Sequence, residues 1–212
     1  NFFSKLERIL LIFKKDIKKY FSNSEIFNIF KNNKRILLFL IEEQIILIDE
    51  NIVRKITKEN KYKYAEYPQY FQPEIKPFIN EKWFPKYNPK WKTDEWVEEI
   101  KKELPQNFYE KRKEGEDDSQ LSVFIRNDMI TEFIIYVTQN NVSLNTKIQP
   151  SIYETNPFLL KRENIKLIEY AAFFGSTQIF NYLRLNGAEL TESLWIYGIH
   201  GKSAEVIHIL EE

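Results

Sequence analysis

Leu167-Ile168-Glu169-Tyr170-Ala171-Ala172-Phe173-Phe174-Gly175-Ser176-Thr177-Gln178-Ile179-Phe180-Asn181-Tyr182-Leu183, followed by Asn186-Gly187-Ala188-Glu189, spells two short helices and the turns that close them. The adjacent Ala171 and Ala172 leave room for a neighbouring helix to approach, and Gly175 permits a tight turn between the pair. Ile179, Phe180, Tyr182 and Leu183 fall on one face at helical spacing and form the buried side of the second helix. Gly187 is placed to adopt the left-handed conformation that ends it.

Weaker copies fall in the same frame. Downstream, Leu194, Tyr197, Gly198, Gly201, Val206, Ile207, Ile209 and Leu210 match with one extra residue in the turn. Upstream, Leu121, Phe124, Ile125, Asp128, Phe133, Ile134, Tyr136 and Val137 match, again with one extra residue. Near the N-terminus Ile26, Ile29, Phe30, Asn33, Leu37, Leu38, Leu40 and Ile41 fall into register without insertion. The spacing from Gly175 to Gly201 is 26 residues, so the connection between those units is short. From Asp128 to Gly175 it is 47, an expanded linker that holds Pro150 and Pro157.

Together these positions resemble the ankyrin repeat, whose usual period is about 33 residues. The resemblance implies an all-α, ankyrin-like helical-repeat solenoid with a trimmed finger between the last two units. Lys63-Tyr64-Ala65-Glu66-Tyr67-Pro68-Gln69-Tyr70-Phe71, Pro73-Glu74-Ile75-Lys76-Pro77-Phe78, Trp83-Phe84-Pro85-Lys86-Tyr87 and Tyr170 through Glu212 further resemble a trichomonad family of ankyrin-repeat proteins with an N-terminal domain of unknown function. That likeness implies a fragment ending inside a repeat array, and it carries over no catalytic residue. In ankyrin proteins partners touch the fingers and the inner helix just after the two small residues. The corresponding positions are Lys31, Arg126, Phe173 and Ile199, which become the candidate protein-binding residues.

Outward from the repeat, three stretches differ in character. Residues 1–57 form an N-terminal helical region. Phe2, Phe3, Leu6, Ile9, Leu10, Phe13, Ile17 and Phe21 make one apolar stripe with lysines opposite. Ser22 with Glu25 is a capping-box pattern, Asn32-Asn33 breaks the helix it starts, and residues 36–41 are apolar nearly all round, as an inner helix would be. Asp49 or Asn51 caps a further helix. Residues 58–119 form a Pro/aromatic-rich strap and hinge. Prolines 68, 73, 77, 85, 89 and 105 exclude long helices, and Trp83, Phe84, Tyr87, Trp91 and Trp96 are expected to pack as a cover over helices. Glu114-Gly115-Glu116-Asp117-Asp118 is expected to be a solvated hinge. Residues 120–212 hold the degenerate repeats.

Composition narrows the chemistry. Of 212 residues, 31 are basic and 31 acidic, so the chain as a whole gains little from nucleic acid or anionic lipid. Residues 1–64 nonetheless carry a net +6, balanced by net negative charge beyond them. There is no Cys, which removes disulfides, thiolate metal sites and cysteine nucleophiles, and suggests an intracellular, cytoplasmic setting. Residues 36–41, the most apolar stretch, fall far short of the roughly 20 residues of a membrane span. His200 and His208 lack a third ligand at helical spacing, so no metal and no cofactor is expected. Five Gly provide no phosphate-binding loop, and no nucleophile–base arrangement occurs. Lys82 through Lys92 interleaves basic and aromatic residues as single-strand binders do, but prolines and the acidic Asp94, Glu95, Glu98 and Glu99 argue against nucleic acid. The leading expectation is a non-catalytic protein–protein interaction scaffold with a protein partner. The alternative is an enzyme whose cleft is formed by the aromatic segment.

Overall fold

The structure, a computed structural model, describes residues 2–58, 67–79, 100–149 and 151–211. These residues are mostly helical, as expected for an all-α chain, and include one two-stranded β pair. The five aromatics expected to cover the helices, Trp83, Phe84, Tyr87, Trp91 and Trp96, lie outside the described residues. The chain divides into two compact units: Asn1–Glu116 with Ile152–Lys161, and Asp117–Ser151 with Arg162–Glu212.

In the first unit, α1 (Phe2–Ile12) and α2 (Lys14–Tyr20) are nearly one helix, joined through Phe13. The Phe13 amide donates to the Ile9 carbonyl at 3.1 Å and the Ile17 amide to the Phe13 carbonyl at 2.8 Å. Only part of the apolar stripe is covered: Leu10 is buried, Phe3, Leu6 and Ile17 pack at the core edge, and Ile9, Phe13 and Phe21 stay exposed. The capping box forms as written, with Ser22 and Glu25 satisfying each other's backbone amides at the start of α3 (Asn23–Phe30). The same contacts hold the Glu25 carboxyl below its ordinary range. Asn33 caps α4 (Lys34–Glu42) through the Ile36 amide, and Asp49 caps α5 (Glu50–Lys58) through the Ile52 amide. The inner helix α4 buries Ile36, Leu37, Leu38 and Leu40 against Ile26, Phe27, Ile52, Val53 and Ile56.

Short helical turns replace long helices where prolines recur: α6 (Tyr67–Tyr70), α7 (Gln72–Ile75) and a 3-10 turn (Lys76–Phe78), each with its proline in the first turn. They bury Tyr67, Tyr70, Phe71 and Ile75. A fully buried Lys34 would be costly without partners. Its ammonium donates to the carbonyls of Ile152 at 3.0 Å and Glu154 at 3.3 Å, and lies 5.1 Å from the Tyr70 ring centroid. Arg112, on α8 (Phe108–Glu114), makes a two-pronged pair with Glu74 at 2.9 and 2.8 Å. Burial raises the Tyr70 phenol above its ordinary range, so it remains a neutral donor to the Arg112 carbonyl. In the acidic run expected to be solvated, Glu114 and Glu116 are exposed, but Gly115 and Asp117 are buried and held in place. Gly115 closes α8 at φ 72° and accepts from the Thr155 amide and hydroxyl, while Asp117 is 1% exposed and accepts from the amides of Ser119 and Ser151.

The second unit consists of three helix–turn–helix pairs: α9 (Gln120–Arg126) with α10 (Ile130–Gln139), α11 (Leu167–Phe174) with α12 (Thr177–Leu185), and α13 (Leu194–Gly201) with α14 (Ala204–Glu211). Asp128, Gly175 and Lys202 occupy the three turns, all left-handed. In each, the next amide reaches the carbonyl five residues back: Met129 to Phe124 at 2.9 Å, Ser176 to Ala171 at 3.0 Å, Ser203 to Gly198 at 3.2 Å. The second helices α10 and α12 end alike, Val142 donating to Val137 and Ala188 to Leu183 after left-handed Asn141 and Gly187. First helices pack on first helices, α9 on α11 and α11 on α13; second helices pack on second helices, α10 on α12 and α12 on α14. In the expanded linker, Lys147–Ile148 pairs antiparallel with Ile165–Lys166.

Candidate interaction surface

The site is built on α11 and α13. With α9 on one side and α13 on the other, α11 buries six of its eight residues, Leu167 through Ala172. Ala171 and Ala172 are fully buried, as their small size predicts. The close approach is made to Gly201: a Cβ there would sit 2.0 Å from the Phe173 carbonyl oxygen, which leaves space for glycine alone. Gly201 was aligned with the turn glycine, yet it stays helical, and Lys202 takes the left-handed position one residue later. Both first helices are eight residues long, and the left-handed residues Gly175 and Lys202 stand 27 apart, as do the starts of α11 and α13, so the expected extra residue in that turn is not there.

Polar groups fix the neighbouring loop. Glu169, 6% exposed, accepts from the Lys166 amide at 2.8 Å, the Thr191 hydroxyl at 3.0 Å and the Ser193 hydroxyl. Lys166 pairs with Glu189 at 2.7 Å and lowers that carboxyl below its ordinary range. Next to this cluster, Tyr197 is buried under the Arg162 guanidinium, 5.4 Å from its ring centroid. Burial and the nearby Glu169 carboxylate push the Tyr197 phenol up to about 12, against the pull of Arg162.

The candidate binding residues stand in different surroundings. Lys31, in the first unit, has an exposed side chain, and its carbonyl accepts from the Tyr67 hydroxyl at 2.6 Å. Arg126 is half-buried and donates to the Asp117 carbonyl and to the Tyr170 hydroxyl at 3.3 Å, so its guanidinium braces α9 and α11. Phe173 is half-buried with its ring edge-on to Phe174, centroids 5.0 Å apart. Ile199 is 60% exposed. One turn away on the same helix, Trp195 and Ile196 are exposed as well, and positions 195, 196 and 199 form one contiguous strip. Trp195 and Ile196 were absent from the expected set, although a signal was present: Leu194 through Tyr197 are all apolar, more than one buried helix face can take up.

His200 is exposed, and His208 lies 3.9 Å from Glu211 at the surface. Among the described residues no group of three or more His, Cys, Asp or Glu is arranged to hold a metal, and no helix is long and apolar enough to cross a membrane. No family model, curated protein or solved structure matches this chain.

Proposed function

We propose that the chain is a non-catalytic protein–protein interaction scaffold, with ankyrin-type repeats in its second unit and a binding strip on α13. The observation that carries this reading is the triple repetition of one turn: left-handed residue, amide bonded five residues back, second helix, at Asp128, Gly175 and Lys202. Three such pairs, first helix on first helix and second on second, follow the nearest-neighbour logic of a solenoid. Support for binding comes from Trp195, Ile196 and Ile199, since a contiguous apolar strip is an interaction feature whereas scattered exposed apolar residues are not. Arg126, already engaged in bracing, is a weaker contact candidate than Ile199, and Phe173 lies between them.

The test is affinity capture of a partner from the source cell, followed by a Kd measurement with the purified partner. Ile199→Asp places a charge in the strip without disturbing a buried residue. Parent and variant should share a fold by circular dichroism, and the variant should bind at least about tenfold more weakly. Equal affinity for Ile199→Asp and Ile196→Asp variants would remove the strip from the interface.

A further inference from the structure

We propose that the outer face of α1 and α2 docks the protein onto an anionic lipid surface. Besides Leu11 at 42% exposure, which lies on the far side of the basic residues, four large apolar side chains remain in water there: Ile9 at 52%, Ile12 at 66%, Phe13 at 52% and Tyr20 at 67%. At about 100° per residue they share an arc roughly 100° wide, adjacent to the core-facing arc of Phe3, Leu6, Leu10 and Ile17. The hydrogen bonds through Phe13 keep the two helices in phase, so the arc runs along both. Beyond it, on the side away from the core, come Arg8, Lys15 and Lys19, all exposed. Residues 1–21 hold six basic and two acidic side chains, the densest part of the positive N-terminal third.

This order of core, apolar arc and basic flank is that of a helix lying in a membrane interface, with its apolar side at the acyl boundary and its cations among headgroups. Asp16 is the acidic member of the apolar arc, one turn from Lys19 and Tyr20. A second copy fits poorly in the antiparallel arrangement, where a face-to-face twofold contact would set Arg8, Lys15 and Lys19 of one molecule against those of the other. The arc is also the outside of a single helical rod, which offers a partner helix no second wall. A lipid surface needs no shaped groove, and its negative charge complements the flank.

The test is cosedimentation of the full chain with phosphatidylcholine vesicles, with and without about one-third phosphatidylserine. Each basic residue near such a surface contributes about fivefold in binding, so the serine-containing vesicles should be preferred by at least about tenfold, and high salt should weaken the preference. Two variants alter exposed side chains alone: Lys15→Glu with Lys19→Glu, and Ile12→Ser with Phe13→Ser. Each should lower binding by about tenfold or more, with the parent's circular dichroism spectrum. Equal retention on both vesicle types, or parent-level binding by either variant, would overturn the proposal. So would two alternatives in the absence of lipid binding. A dimer in sedimentation that Ile12→Ser with Phe13→Ser dissolves would assign the face to a second copy, and capture of an acidic polypeptide lost on Lys15→Glu with Lys19→Glu would assign it to a protein.

Discussion

Asp128 occupies the left-handed turn position that Gly175 holds one unit later, and its side chain explains why a carboxylate stands there. Asp is among the few residues that tolerate that backbone. Its two oxygens accept from the amides of Gln178 and Ile179 at 3.0 Å each, capping the first turn of α12 in the next unit. The cap satisfies two amides that a helix start leaves open, and the negative charge favours that end of the helix. Asp128→Ala should therefore cost about 1–2 kcal/mol in denaturant unfolding; an unchanged midpoint would mean the cap contributes nothing. Tyr197 gives a second test at this scale. Its folded pKa of about 12 lies above the ordinary tyrosine value of about 10, so the folded protein keeps a proton that the unfolded chain releases. Stability should fall as pH rises from about 10 to about 12. Tyr197→Phe should flatten that fall, read as the slope of unfolding free energy against pH.

At the scale of elements, α13 shows what the sequence made legible and what it concealed. Amphipathic spacing, the Ser22–Glu25 box and the Ala171-Ala172 pair could be read directly, because each is a local pattern with one physical solution. Gly201 was misread because a glycine serves two ends, left-handed backbone and close approach, and only the packed neighbour tells which. Here the neighbour is the Phe173 backbone. Lys202 in the left-handed position could not be read at all, since nothing in its chemistry favours it over Gly201. Gly198, four residues before the turn, stands where Ala171 stands one unit earlier, and an added Cβ would meet Ile207 at 3.5 Å, an ordinary contact. Gly201→Ala should thus destabilise by about 3 kcal/mol or more through overpacking on backbone. Gly198→Ala should be neutral or up to about 1 kcal/mol stabilising through helix propensity. Thermal melts of the two variants separate them, and similar losses in both would refute this assignment of roles.

For the molecule as a whole, the all-α class was legible from periodicity, while the pinning of the acidic run near Asp117 was not. Five acidic and glycine residues in a row read as solvated, and the donors that bury Asp117 come from Ser119 and the distant Ser151. Long-range partners of that kind leave no local trace. The β pair escaped for a similar reason, as two residues are too few to display alternation. What the second unit does show is a graded stack, in which α11 has a first helix on each side and α9 and α13 have α11 in common. In a nearest-neighbour array the doubly covered element should be the last to open. Amide hydrogen exchange on the full chain tests this most directly. The stacked-repeat reading predicts that α11 exchanges most slowly in residues 117–149 and 162–211, with the turn amides of Met129, Ser176 and Ser203 also protected. Faster exchange in α11 than in α9 or α14, or no protection at those three turns, would contradict it.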